Sequence, residues 1–328
     1  MSQRPAPKVP SKVFITGAGG FIATTLARRL RELGAEVTGV DLRPDEANGV
    51  VQGSITDPQP WAEALQGVDV VIHTAAIVSM VAPYEQAWQV NVLGTRRMIE
   101  AAAAAGVRRF VHISSVAAFS HHYPDGVDET YPVRVTGRST YGDTKVNAEA
   151  VALAAHAAGE LDVVVVRPGD VYGPGSVWIR EPLKMIKAGQ MILPNGGDGI
   201  FHAVYVDNLV DGIVLAASAE AASGQIFTVA DERGVPAKEY FGRLAAWTGR
   251  KVRTLPIQVA VPLFGLVGGV QRRLGKATEV GAATAEFFNR PGSYSIAKAR
   301  RVLGFEPLVD FEEGMRRSEE WAREEGLV

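Results

Sequence analysis

The sequence predicts an α/β protein, a doubly wound parallel sheet followed by a smaller, mostly helical C-terminal lobe. Three observations carry that expectation. Short apolar runs rich in Val and Ile alternate with amphipathic stretches through the first half of the chain. Continuous runs of this kind suit parallel strands covered on both faces, and their alternation with helices predicts right-handed β–α–β units. A glycine-rich turn separates the first run from the first amphipathic stretch, and after Arg167 loop residues and helical patterns take over.

The opening segment carries Pro5, Pro7 and Pro10 and no apolar stretch, so residues 1–11 read as a flexible arm and not as a secretory signal. Lys12–Thr16 is the first expected strand, Phe21–Leu33 the first helix and Glu36–Asp41 the second strand, with a short third at Val50–Gly53. Asp69–His73, Phe110–Ser114 and Asp162–Arg167 continue the sheet, separated by helices at Tyr84–Ala105 and Tyr141–Ala158. Residues 12–175 therefore form the first lobe, with a return segment near 203–217. Residues 176–328 form the second, with an isolated strand at Ile226–Val229 and helices at Ala237–Thr248 and Phe311–Glu325. The most apolar stretch, Leu255–Val270, is interrupted by Pro256, Pro262 and several glycines. It falls short of the about 18 uninterrupted apolar residues of a membrane span. It reads as a buried helix pair or a lid over an apolar pocket, in preference to a membrane-surface anchor.

Composition excludes several functions. A formal net charge of −2 leaves no basic footprint for nucleic acid. The absence of cysteine removes disulfides, thiolate metal sites and cysteine nucleophiles, and is compatible with a reducing, cytoplasmic setting. His73 and His112 fall in strands and are expected to be packed and hydrogen-bonded. His121 and His122 are adjacent in a loop without acidic neighbours at ligand spacing, so no metal site is expected. His202 reads as a polar contact.

The turn Thr16–Ala23 has the strand–turn–helix context of a dinucleotide fingerprint, the signature of a Rossmann-type fold. Gly17 permits the tight turn, Gly20 lets the backbone approach a pyrophosphate, and the helix N-terminus supplies amide donors. Asp41 ends the second strand roughly 20 residues on, where a carboxylate accepts from both adenosine ribose hydroxyls and repels a 2′-phosphate. NAD is thereby favoured; Arg43 nearby leaves NADP possible.

Taken together, TGAGGFI (Thr16–Ile22), VDLR (Val40–Arg43), HTAA (His73–Ala76), NVLGT (Asn91–Thr95), VHISS (Val111–Ser115), YGDTK (Tyr141–Lys145), RPGDVYGPG (Arg167–Gly175), VYVDN (Val204–Asn208) and ARRVLGFEP (Ala299–Pro307) resemble an extended short-chain dehydrogenase/reductase. The resemblance is to its epimerase/dehydratase and 3β-hydroxysteroid-dehydrogenase-like group. It implies that Gly17, Gly19, Gly20, Phe21 and Ile22 cradle the cofactor, with Asp57 near the adenine and Ala75 and Ala76 along its path. Pro168, Gly169 and Val171 match the family loop that approaches the nicotinamide.

Tyr141 and Lys145 are four apart on an expected helix, so they share a face. A free phenol titrates near 10, and a neighbouring ammonium favours the phenolate. The resemblance makes Tyr141 the proton donor or acceptor and Lys145 the ligand of the nicotinamide ribose. It places Ser115 as the hydroxyl that bonds the substrate oxygen, leaving Ser114 as a cofactor-side or structural hydroxyl. Asn91 takes a supporting role in the helix backbone or a proton-relay water, or is a plain polar contact.

For substrate, Gly169 and Asp170 stand where sugar-nucleotide enzymes usually carry asparagine, and Ser114-Ser115-Val116 replaces a dehydratase's Thr-Asp-Glu. The chain more resembles the branch that interconverts alcohol and ketone on steroid-like or other apolar molecules, with Phe264 in an apolar wall. Two alternatives stand beside it: a nucleotide-sugar epimerase/dehydratase with tightly bound NAD, and a non-catalytic dinucleotide-binding sensor or scaffold. The resemblance also implies a homodimer through helices Tyr84–Ala105 and Tyr141–Ala158.

Overall fold

A computed structural model describes residues 9–276 and 278–328. Most of the expected N-terminal arm, residues 1–8, lies outside the described residues. The first half runs β1 (Lys12–Thr16), α1 (Phe21–Glu32), β2 (Glu36–Asp41), β3 (Val50–Gln52), β4 (Val70–His73), α2 (Tyr84–Trp88), α3 (Gly94–Ala104), β5 (Arg109–Ile113), α4 (Thr140–Ala157) and β6 (Asp162–Pro168). The second half follows with β7 (Asp170–Tyr172), α5 (Val177–Lys187), β8 (Ile192–Pro194), β9 (Ile200–Phe201), β10 (Ala203–Tyr205), α6 (Val206–Ser218), β11 (Ile226–Val229), β12 (Val235–Pro236), α7 (Ala237–Trp247), β13 (Arg253–Leu255), α8 (Ile257–Arg273), α9 (Ala282–Phe287) and α10 (Phe311–Glu324).

A seven-stranded sheet in the order β11-β6-β5-β4-β1-β2-β3 organises the molecule. Each of its pairings is parallel. The order reverses between β1 and β4, which opens a crevice at their C-terminal ends where such sheets bind ligands. The strands are apolar on both faces because both are covered. Val13, Ile15, Val111 and Val164 pack with α1 and α6, and Phe14, Val71, Phe110 and Val163 pack toward α3 and α4.

Three sequence expectations change. Ile226–Val229 is not isolated: β11 pairs with β6 and forms one edge of the main sheet. The segment expected as one helix over 84–105 is helical throughout, but a π turn, Gln89–Leu93, lies between α2 and α3. Leu255–Val270 is not a buried helix pair. Most of it is the single helix α8, in which only Ala260 and Gly268 are buried. Pro262 is tolerated there on the solvent face, where the carbonyl it leaves without a donor can reach water.

Candidate active site

The glycine turn sits at the sheet's point of reversal. Gly17 has φ 67°, and a Cβ there would lie 2.9 Å from Ala75 Cα, so both the conformation and the space call for glycine. Its amide donates to Val40 O at 2.8 Å, and Gly20 N donates back to Gly17 O at 2.9 Å. Gly20 caps α1 with no side-chain acceptor, and the first turn contains no acidic residue. The helix dipole there is therefore left for an external anion. Asp41 lies across the same turn, its Oδ2 accepting from Gly19 N at 3.0 Å and its Oδ1 from Arg43 N at 3.2 Å. Arg43 is exposed. Half-buried Phe21 faces Gly175 across the crevice, and Ile22 follows it into α1. Asp57 is exposed beyond β3, its amide donating to Ser54 O at 3.2 Å. A glycine cradle that a Cβ would fill, uncapped helix amides and a carboxylate at the end of β2 fit a dinucleotide.

Thr16 and His73 fasten the two strands that flank the crevice. Thr16 Oγ1 meets His73 Nδ1 at 2.8 Å, and Ala75 N donates to Thr16 Oγ1 at 3.3 Å. His73 Nε2 contacts Thr95 Oγ1 at 3.1 Å, which links this corner to the π turn bearing Asn91. Asn91 accepts from Ile77 N at 2.7 Å and donates to Ile77 O and to Thr144 Oγ1, both at 3.0 Å. It therefore ties the loop after Ala75 and Ala76 to α4, one residue before Lys145. His112 departs from expectation, since neither ring nitrogen has a hydrogen-bond partner among the described residues.

Tyr141 and Lys145 lie one turn apart on α4, with Lys145 Nζ 5.7 Å from the Tyr141 ring centre. Ser139 caps the helix by accepting from Gly142 N at 3.2 Å. Ser115 hydrogen-bonds the Tyr141 phenol, which burial pushes up to about 12; the Ser115 bond lowers it and the Asp170 carboxylate raises it. Lys145 donates to Ile113 O at 2.8 Å, and burial brings its ammonium down to about 8 against the opposing pull of Glu149. A phenol and an ammonium thus lie buried together beside the strand-end hydroxyl.

Ser114 points elsewhere. Its hydroxyl donates to Glu149 Oε1 at 2.5 Å, and Glu149 also accepts from Arg167 Nε at 2.9 Å and Nη2 at 2.6 Å. All three are buried. The Ser114 hydroxyl is thereby turned into the Glu149–Arg167 network. Gly169 also has a local reason: a Cβ there would meet His202 O at 2.6 Å. Pro168 pairs with Val229 on the edge strand, and Val171 pairs with Val204 across β7 and β10.

Sequence reasoning missed three residues here. Gly142 is required because a Cβ would come 2.8 Å from Ala117 O, and its absence lets α4 close on the turn after Ser115. Glu149 lies four residues beyond Lys145 on the same face, a spacing that signals their proximity. Arg290, from a loop 120 residues away, forms a buried ion pair with Asp170, and its guanidinium lies 4.0 Å from the Phe287 ring centre. No local pattern announces that pair.

Several histidines are held neutral by burial: His73 and His121 fall to about 3 and His202 to about 4. Their folded values lie below the unfolded value near 6.5, so the unfolded chain binds more protons as pH drops below that point. Stability should fall from about pH 6.5 toward 4, approaching about 1.4 kcal/mol per pH unit for each histidine near pH 5. Denaturant titrations at pH 7 and pH 5 check this, and equal midpoints would contradict it.

Fold and site together define a dinucleotide-binding oxidoreductase. Residues 13–230 match the NAD dependent epimerase/dehydratase family. The chain belongs to that family, as an extended short-chain dehydrogenase/reductase. It is 30% identical over 332 residues to a 3-beta-hydroxysteroid dehydrogenase of Mycolicibacterium neoaurum, covering 93% of this chain and 89% of that one. It is also 30% identical over 327 residues to a 2-alkyl-3-oxoalkanoate reductase of Stenotrophomonas maltophilia, covering 93% and 98%. Among solved structures it resembles MoeE5 in complex with UDP-glucuronic acid and NAD, with a TM-score of 0.77, 26% identity and coverage of 96% and 99%. Among the described residues no helix is long and apolar enough to cross a membrane. No three metal-ligating side chains gather among the described residues.

Proposed function

We propose that this enzyme interconverts a secondary alcohol and a ketone on a steroid-like or other apolar molecule, with Tyr141 as the acid/base. The observation that carries this reading is the buried Asp170–Arg290 pair. Tyr141 feels the charge of Asp170, so the pair borders the reacting centre. A buried arginine already neutralised by a carboxylate offers little to a diphosphate, and an anionic substrate would leave Asp170 facing a like charge. The names of the two 30% relatives support the same chemistry.

NAD, when bound, supplies or accepts the hydride. In oxidation the alcohol proton would pass to the Tyr141 oxygen, the nearby Lys145 ammonium and a bound nicotinamide cation offsetting the burial that raises the phenol, and Lys145, held by Ile113 O, would turn its remaining N–H groups to the ribose. Ser115 donates a hydrogen bond to the substrate oxygen. In reduction Tyr141 returns the proton. Asn91 holds the loop and helix that position Lys145. Gly17, Gly19, Gly20, Phe21, Ile22, Asp57, Ala75, Ala76, Pro168, Gly169 and Val171 line the cofactor's path, with Asp41 on the adenosine ribose.

Asp41→Ala removes charge-assisted hydrogen bonds worth about 1.5–3 kcal/mol, so NAD affinity should fall about ten- to a hundred-fold while NADP loses far less. Fluorescence titration with both cofactors measures this; an unchanged preference would remove Asp41 from the ribose site. The chain is further proposed to form a homodimer through α2, α3 and α4, where half-buried Val90 of the intervening π turn and Val151 and Leu153 of α4 contribute apolar surface. Sedimentation should give twice the chain mass; a monomer would oppose it.

The reaction is tested by following ultraviolet absorbance of reduced nicotinamide with NAD and a panel of hydroxysteroids, long-chain β-hydroxy acids and UDP-sugars. Net reduction of NAD by an apolar alcohol is expected. Conversion of a UDP-sugar without net reduction would assign the epimerase/dehydratase reaction, and cofactor binding without any turnover would assign a sensor.

A further inference from the structure

The solvent side of α8 is apolar. Val259, Pro262, Leu266 and Val270 recur at three- and four-residue intervals, so they form one stripe, flanked by Val267 and extended past the helix end by Leu274. Leu266 is 67% exposed and Leu274 69%, among the highest values for large apolar side chains in the protein. Ordinary surface leucines are scattered singly; a continuous stripe marks an interaction site.

The charge around the stripe identifies the partner. Between Thr248 and Thr278 there are six cations, Arg250, Lys251, Arg253, Arg272, Arg273 and Lys276, and no Asp or Glu, in a chain of net charge −2. Three precede the helix and three follow or end it. All six are exposed. Arg272 donates to Val280 O at 3.0 Å, and the other five side chains have no carboxylate partner among the described residues. Many other arginines are paired, as Arg316, Arg317 and Arg323 are with glutamates along α10. An apolar stripe between unpaired basic flanks matches an anionic bilayer surface, with the stripe among the acyl chains and the cations at the headgroups. A second copy of the same face would bring like charges together.

We propose that α8 is an interfacial helix that docks the enzyme on anionic lipid. It leads directly to the reaction centre. After α8, Glu279 accepts from Met80 N at 3.0 Å, and Met80 O accepts from Thr140 N, the residue before Tyr141. From α9, Glu286 accepts from Arg138 at 3.3 Å, and Phe287 lies edge-on to His121 in the loop after Ser115. Resting on the apolar-substrate reading above, the bilayer is then the reservoir from which substrate enters.

The test is co-sedimentation of the full chain with vesicles of phosphatidylcholine alone or with added phosphatidylglycerol. Binding to anionic vesicles should exceed binding to neutral ones at least ten-fold and weaken with salt. Leu266→Ser with Val270→Ser, both on the exposed face, should reduce it more than ten-fold. Arg273→Ala with Lys276→Ala should reduce it about twenty-five-fold, about five-fold for each charge. In both variants KM for a bilayer-partitioned steroid should rise, while turnover of a water-soluble ketone stays unchanged. Unchanged soluble turnover without vesicle binding would overturn docking and leave the redox reading intact. Loss of vesicle binding in favour of a dimer that Leu266→Ser dissociates would assign the face to a second copy.

Discussion

Tyr141→Phe should lower kcat about a thousandfold or more, within the range that general acid–base catalysis contributes, and leave NAD affinity within about two-fold. Phenylalanine keeps the ring that packs 5.7 Å from Lys145 Nζ and removes only the hydroxyl bonded to Ser115. The split between turnover and binding separates a chemical role from a structural one. A residue that merely shaped the pocket would change both. Unchanged turnover in this variant would remove Tyr141 from the mechanism.

Gly17→Val should raise the dissociation constant for NAD at least about a hundred-fold, equivalent to about 2.7 kcal/mol. The backbone at φ 67° disfavours a β-branched residue, and its Cβ would press on Ala75 Cα at 2.9 Å. Strain and overpacking together should also cost about 2–4 kcal/mol of stability. Calorimetric titration with NAD and a thermal melt read the two effects separately. Wild-type affinity in a folded variant would place the pyrophosphate away from this turn.

Local spacing made much of this molecule legible. The buried strands read as Val/Ile runs because both faces are covered, and Gly17 follows from a turn that must pass close beneath β4. Tyr141 and Lys145 share a face because helix geometry leaves no other arrangement. What spacing missed is non-local. Ile226–Val229 looks isolated because its partner β6 ends more than fifty residues earlier in the chain. Arg290 meets Asp170 only through the folded second lobe. The apolar segment after Leu255 suggested burial, because hydropathy alone does not tell which side of a helix the protein leaves uncovered. The bond from Ser114 to Glu149 was not legible either, because Glu149 comes from α4, 35 residues further along the chain.

Deuterium tracing tests the central claim most directly. A 3β-hydroxysteroid labelled with deuterium on its carbinol carbon is incubated with enzyme and NAD, and both products are weighed by mass spectrometry. The account predicts one deuterium in the reduced nicotinamide for each ketone formed, with transfer abolished in Tyr141→Phe. An untouched steroid, together with a UDP-sugar isomerised or dehydrated without net reduced nicotinamide, would contradict it.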